Sequence, residues 1–417
     1  MSKVLQPDYV SKFQCIASDC EDTCCCGWRI KIDKDSYDKY ENLKDELFSG
    51  KITTEDILHA EGSFSEVVLA DNSCPFLNIE KLCRIQKKYG ESYLSTTCSV
   101  FPRNYNMVND RLELALSMSC PQAAKLALLN PEAMRFSFVE ISDDSRISKI
   151  PNLNLFDNEY SNKIYPYFKD IRTFVIELLQ NRNYNFEDRL IILGRFCNDL
   201  NLISSNSIDD EVLRLIKDYN NIVDSFGFDK FISSIPNQPA VMLKTLITLI
   251  EYRLKTGITG KRFLECFEKF KQGLNYSNEI SDEVLADFYV KAKSNYYDNF
   301  IKQHEYIFEN YFVNYAFKTN FPFGQQQTRY PNDISAINQT ILSEFMLMVV
   351  HYAIIKNLLV GIAGYNKEKL SEQDIIVLIQ SFDKNICNDV SYHQSLLKFF
   401  DDNHMMNIAC SAILIKN

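Results

Sequence analysis

The chain has a single tryptophan, Trp28, and only 12 glycines among 417 residues, none of them in a G-x-G arrangement. The nearest approaches, GITG from Gly257 and GIAG from Gly361, do not open a helix after a strand. A Rossmann-type cofactor fold needs such a glycine turn, so that fold is excluded. There is no Lys/Arg run: the first 120 residues carry 14 Lys+Arg against 19 Asp+Glu, and the whole chain has a net charge of −10. Nothing here neutralises a phosphate backbone, which argues against nucleic acid as a partner. None of the five histidines stands in an HExxH pattern. The N-terminal MSKVLQPDYVSKFQC contains no apolar h-region. The expectation is therefore no secretory signal, a cytoplasmic location and reduced thiols. No apolar run is both long and clean. The best, FMLMVVHYAIIKNLLVGIA from Phe345, is interrupted by His351 and Lys356 and reads as a buried helix rather than a membrane span.

Cysteine, by contrast, is abundant and unevenly placed. Nine of 13 lie at or before Cys120, while Cys197, Cys266, Cys387 and Cys410 are isolated in apolar helical surroundings and read as buried small hydrophobes. In a reducing compartment dense cysteine points to metal rather than disulfides. Cys20 and Cys24 are three residues apart, within reach across one turn. Cys74 and Cys83 bracket the tight loop CPFLNIEKLC, and Cys98 precedes SVFPR. Cys120 precedes Pro121, a residue suited to the first position of a helix, so its thiolate would face the unpaired N–H groups and positive dipole end. Four thiolates hold zinc or an iron–sulfur cluster, and eight hold two such sites. Spacing alone leaves the metal open: no C-x2-C knuckle pair brackets the region, and the C-x3-C-x2-C cluster signature fails because Gly27 stands where its third thiol belongs.

The character of the chain changes near residues 140–152. The architecture expected is mainly α: a small cysteine-rich metal domain with short β-strands over residues 1–145, then a large helical domain over 146–417. WRIKID alternates as a half-buried strand, KDSYDKYENLKDELFSG reads as a surface helix, and NYNMVNDRLELALSMSC reads as a hairpin turning at Asn109-Asp110. In its second arm Leu112, Leu114, Leu116 and Met118 share one face, and Cys120 has the same parity. Further on, Met242, Leu246, Leu249 and Ile250 mark one face of a helix. SDEVLADFYV opens with a capping pattern at Ser281. Eleven aromatics between Tyr296 and Phe323 suit inter-helix packing first. Alternatively they build a groove for a protein segment, a patch for peripheral membrane contact or a surface for self-association.

Taken together, CEDTCCCGWRIKID, CPFLNIEKLCRIQ, TCSVFPR and SCPQAAKLAL resemble the flagellin lysine-N-methylase family of bacteria, specifically over residues 15–125. The family's recurrent elements fall on Cys24-Cys25 with Gly27-Trp28, on Cys74 through Gln86, on Thr97-Cys98 with Phe101-Pro102-Arg103, and on Ser119-Cys120-Pro121. Cys15 and Cys20 match the leading thiols. The resemblance implies methyl transfer from S-adenosylmethionine to lysine amines of flagellin. It also implies a [4Fe-4S] cluster, with zinc as the alternative metal, held among Cys15, Cys20, Cys24, Cys25, Cys74, Cys83, Cys98 and Cys120. Arg29, Arg84 and Arg103, all inside the motifs, are candidates to offset cluster charge or grip the cofactor carboxylate. The glycine-poor sequence means any S-adenosylmethionine site is built outside a Rossmann turn. Cys26 shares parity with Trp28, Ile30 and Ile32 and reads as a buried packing thiol. Two rival readings are a non-catalytic zinc-knuckle adaptor for a flagellar protein and an iron–sulfur carrier.

Overall fold

The computed structural model describes residues 2–27, 30–48, 58–61, 64–69, 72–141, 152–153, 164–203, 208–257, 260–324 and 340–417. Trp28, Arg29 and the border expected at residue 145 lie outside the described residues.

The N-terminal part carries two sheets. The larger joins β1 (Ser2–Pro7), β5 (Arg103–Val108), β6 (Arg111–Leu116), β7 (Phe136–Ile141) and β8 (Asn152–Leu153) in the order β7-β1-β6-β5-β8. β5 and β6 form the expected hairpin: Asn109 and Asp110 take φ of 48° and 60°, the left-handed backbone of a two-residue turn. β6 is not half-buried as its alternation suggests. Leu112, Leu114 and Leu116 are covered, but so are Glu113 and Ala115 on the opposite face. The second face stays buried because Arg172 donates twice to the Glu113 carboxylate, at 2.6 and 2.7 Å, and Arg111 donates a further bond at 2.7 Å. The smaller sheet orders β2 (Lys31–Ile32), β4 (Phe64–Val67) and β3 (Leu58–Glu61) as β2-β4-β3. Around it lie α1 (Lys34–Phe48), α2 (Arg84–Tyr89) and α3 (Thr96–Val100), while α4 (Pro121–Leu128) packs into the main core.

The remainder is helical, so the chain is mainly α with a strand-bearing, cysteine-rich N-terminal part. Its helices are α5 (Phe168–Leu179), α6 (Phe186–Asn201), α7 (Ile208–Asp224), α8 (Asp229–Ser234) and α9 (Pro239–Lys255). These are followed by α10 (Lys261–Gly273), α11 (Asp282–Ala292), α12 (Asp298–His304) and α13 (Tyr306–Lys318). The last four are α14 (Ile341–Asn366), α15 (Glu372–Phe382), α16 (Val390–Asp402) and α17 (Ile408–Lys416). Met242, Leu246, Leu249 and Ile250 are all buried on α9. Ser281 caps α11 by accepting from the Val284 N–H. Two π-helical turns, Lys293–Tyr297 and Asp383–Cys387, interrupt the regular helices; such turns recur at functional sites.

The apolar helix α14 is enclosed on every side. The two polar residues that interrupt it meet partners within the protein, although His351 Nδ1 has none among the described residues. Lys356 bonds Glu187 at 2.6 Å and the Ile415 carbonyl at 2.9 Å, and His351 Nε2 lies 3.1 Å from His393 Nε2. α14 packs closely on α10, and a Cβ on Gly273 would collide with the Gly361 carbonyl. The aromatic-rich stretch is packing: Tyr297, Phe308, Tyr311, Phe312, Tyr315, Phe317, Phe321 and Phe323 are buried.

One continuous core runs from Val4 through the large sheet into α17. Tyr9 shows how it is joined, donating to Asn314 Oδ1 on α13 at 2.6 Å while accepting from the Leu116 N–H on β6. A separate small core of Ile30, Ile32, Tyr40, Val67, Cys74, Phe76 and Ile85 holds the knuckle segments together.

Candidate functional site

Each cysteine is placed by its own local device. Cys120 caps α4 as its Pro121 suggests. The Cys74–Cys83 loop is closed by a bridge between Leu77 and Cys83, and by the Asn78 side chain, which accepts from the Glu80 and Leu82 N–H groups. Ser95 caps α3 by accepting from the Cys98 N–H at 3.2 Å. The run at Cys24 is not extended. A turn at Cys24-Cys25 brings the two thiols together, and the Cys25 thiol donates to Cys24. Adjacent side chains diverge in an extended strand, and the turn here brings these two to one side instead. Cys26 is half-buried rather than buried, 3.3 Å from Ser73 Oγ, with its backbone bridged to Ser73.

None of the eight candidate cysteines, from Cys15 to Cys120, is in a disulfide. The hydrogen bond from Cys25, with Lys384 nearby, lowers the Cys24 thiol to about 7. The same bond, then burial, pushes Cys25 up. Burial raises Cys74 to about 12, Cys98 and Cys120 to about 11, and Cys20 and Cys83 upward as well. For Cys120 this reverses the expectation of a ready thiolate. The N–H groups of Ala123 and Gln122 pull downward, but burial outweighs them. Among the described residues no three His, Cys, Asp or Glu side chains already stand in metal-holding geometry. The chemistry of the donor set fits a thiolate-bound metal: thiols are the ligands that soft metals and clusters take, and Cys74 and Cys120 are buried among the N-terminal segments. A bound metal would displace their protons. Cys197, Cys266 and Cys387 are buried in the helical core, and Cys410 is half-buried.

Beside Cys24 opens a cleft of about 1110 Å³ between the cysteine loops and the helices. Cys24, Gly27, Arg103, Ser117 and Ser119 face it from one side, and Tyr252, Arg253, Lys384 and Asp389 from the other. Arg103 is exposed on β5, 5.5 Å over the Phe13 ring. Arg84 is exposed on the first turn of α2 and does not line the cleft.

Residues with no place in the sequence motifs hold this arrangement. Lys384, in the second π-helical turn, donates to both Asp22 oxygens at 3.0 and 2.9 Å and to the Thr23 carbonyl at 3.1 Å. Gly27 turns the chain here with a φ of 79°, a left-handed backbone that favours glycine. The Gln380 amide donates to Asp22 and to the Ser119 carbonyl, at 2.8 Å each. Asp383, fully buried, accepts from Ser117 Oγ and the Ser119 N–H, both at 2.8 Å. Glu21 pairs with Lys125 on α4 and with Arg262 on α10. A signal for these was present in CEDTCCC: two carboxylates among thiolates repel them unless cations arrive from elsewhere.

A family model for the FliB lysine N-methylase C-terminal domain matches residues 172–414, more than half of the chain. The chain belongs to the FliB lysine N-methylase family. The match begins at Arg172, the partner of Glu113, and runs over the helices that carry Gln380, Asp383 and Lys384. A lysine-N-methylase of Salmonella choleraesuis is 24% identical over 428 aligned positions, spanning 97% of this chain and 98% of that protein. Another, of Salmonella typhimurium, is 36% identical over 138 positions, which span 32% of this chain and only 34% of that relative. The flagellar biosynthetic protein FliU of Salmonella muenchen is 36% identical over 135 positions, 31% of this chain and 80% of that protein. No solved structure matches the chain.

Proposed function

We propose that this FliB-family chain is a protein-lysine N-methyltransferase that moves a methyl group from S-adenosylmethionine to lysine amines of flagellin, with a [4Fe-4S] cluster held by its N-terminal cysteines. The carrying observation is the cleft, which has the lowered thiol of Cys24 and the cation of Arg103 on its wall and about 1110 Å³ of space. That volume is at the upper end for a single small ligand, leaving room for a cofactor and a substrate side chain together. The family membership and the lysine-N-methylase and flagellar relatives support the same reading.

Cys15, Cys20, Cys24, Cys25, Cys74, Cys83, Cys98 and Cys120 are the ligand candidates. A bound [4Fe-4S] cluster supplies one-electron or Lewis-acid chemistry at the cleft. Arg103 is the residue to grip the cofactor carboxylate, because its guanidinium is exposed at the cleft and carboxylates bind such forks with two bonds. The Lys384–Asp22 clamp holds the Cys24 turn against the helical wall. In a polar transfer the target ammonium first gives a proton to solvent. The amine nitrogen then forms its bond to the methyl carbon as the carbon–sulfur bond breaks and a neutral thioether leaves.

The test is anaerobic purification of the full chain with iron, sulfide and zinc analysis, then incubation of flagellin with S-adenosylmethionine and a reductant. The expected result is a brown protein that adds methyl mass to flagellin lysines. A colourless protein containing zinc and no iron removes the cluster. A brown protein that leaves flagellin unmodified removes the methyltransferase reading in favour of a carrier.

A further inference from the structure

We propose that the hydroxyl pair Ser119–Ser117, backed by the buried carboxylate of Asp383, is the seat on the cleft wall that receives the target lysine amine of the substrate. The inference rests on the proposed methyl transfer to lysine and adds the residues that hold the amine.

The turn between β6 and α4 is held in place by bonds from three directions. The Ser117 N–H donates to the Pro102 carbonyl at 2.8 Å, the Cys120 N–H donates to the Ser117 carbonyl at 3.3 Å, and the Gln380 amide donates to the Ser119 carbonyl at 2.8 Å. Met118, between the two serines, is fully buried. Both serines nevertheless line the cleft. Their hydroxyl oxygens lie 2.7 Å apart. Behind them stands Asp383 Oδ2, 2.8 Å from Ser117 Oγ and 2.8 Å from the Ser119 backbone nitrogen. Lys318 approaches the other carboxylate oxygen, Oδ1, at 3.5 Å, which leaves Oδ2 to the serines.

Valence fixes the direction of these hydrogen bonds. An ionised carboxylate only accepts, and a serine hydroxyl has a single hydrogen to give. Ser117 gives its hydrogen to Asp383, so Ser119 donates to Ser117 and keeps its remaining lone pair for the cleft. Apart from Ser117, the Ser119 hydroxyl has no protein partner among the described residues. The outer end of the chain is therefore an acceptor, polarised by an anion that is shielded from water. Such an end takes an N–H donor, and a cationic one most strongly. Asp389, also on the cleft wall, is already engaged by Arg253 at 2.8 Å, by the Ser391 hydroxyl and by the Tyr392 N–H. An ammonium seated on Ser119 lies one residue from Cys120, a candidate cluster ligand. Once its proton has gone to solvent, the neutral amine still donates an N–H to Ser119. Its lone pair then points away from the seat, toward the methyl carbon it attacks.

The experiment has two readouts on the anaerobic full chain. One is methylation with flagellin and S-adenosylmethionine varied separately. The other is equilibrium binding, without S-adenosylmethionine, of flagellin labelled away from its lysines, followed by fluorescence anisotropy. Ser119→Ala should lower kcat/KM for flagellin about tenfold, the loss of one charge-assisted hydrogen bond, and weaken flagellin binding. The KM for S-adenosylmethionine, the metal content and the circular dichroism should stay as in wild type. Ser119→Thr, which keeps the hydroxyl, should restore most of the loss, and Asp383→Asn, which removes the charge, should lose at least as much as Ser119→Ala. With acetylated flagellin, whose lysines carry no charge, wild type and Ser119→Ala should bind alike, whereas a purely structural defect would persist. A raised KM for S-adenosylmethionine in place of the flagellin effect, or a binding defect that survives acetylation, overturns the seat. Should Asp383→Asn fail to fold, the two Ser119 variants still decide it. A wild type that leaves flagellin unmodified overturns the proposed function and this seat with it; an active wild type indifferent to Ser119→Ala overturns the seat alone.

Discussion

The main core and the knuckle core solve the problem of buried polarity in opposite ways. In the main core several buried charges meet protein partners: Glu113 with Arg172, Glu309 with Arg189 and Arg182, Lys356 with Glu187. In the knuckle core the polar groups are thiols, and their nearest chemical neighbours are other thiols. The first region is complete as a protein. On the proposed function a metal completes the second, because seven buried side chains at roughly 1.5–3 kcal/mol each do not offset the entropy of ordering several loops.

The largest way to break that contrast is to remove the metal. Chelation under anaerobic conditions should release residues 30–98 to limited proteolysis and fast hydrogen exchange while α5–α17 stay protected, since thiolate–metal binding is worth on the order of 10 kcal/mol of folding free energy. Equal protection in both regions after chelation would erase the distinction. Next in size is Glu309→Ala, which removes the carboxylate shared by Arg189 and Arg182 and leaves the buried Arg189 with Glu305 as its one remaining carboxylate. A loss of about 3–5 kcal/mol in denaturant unfolding is expected, with metal content unchanged.

Glu344 sharpens the comparison by pH. Burial raises this carboxyl to about 8 from 4.5. The folded state then holds a proton the unfolded state has released, so stability is full below about pH 4.5 and declines as pH rises through about 8. Glu344→Gln should flatten the stability profile across this window, by a few kcal/mol at most. A slope identical to wild type would mean that Glu344 does not titrate there. The smallest effect is expected where the regions meet. Lys384→Met should cost about 1–3 kcal/mol by leaving Asp22 uncompensated, with Lys384→Arg partly restoring it. It should also lower the cluster's reduction potential by removing a nearby cation; an unchanged potential would take Lys384 out of the site's electrostatics.

Much of this was legible from residue order. Asn109-Asp110 announced a left-handed turn, Pro121 announced a helix capped by Cys120, and His351 and Lys356 marked the apolar stretch as internal. Other features were not. Alternation in β6 could not reveal that Glu113 is buried, because its partner Arg172 is 59 residues away. The turn at Cys24-Cys25 was not legible either, because it depends on Thr23, whose Oγ1 accepts from the Cys25 N–H, and on Lys384 from the far end of the chain.

By itself the sequence determined where the thiols stand along the chain, that no G-x-G turn is present, and that helices dominate after residue 150. These are local properties of composition, spacing and period. Only the tertiary structure decided which thiols stand together, that the cysteine loop is clamped through Glu21 and Asp22 by α10 and α15, and that a cleft opens beside Cys24. Those depend on hydrogen bonds and ion pairs between segments hundreds of residues apart, and such contacts leave no periodic trace along the chain.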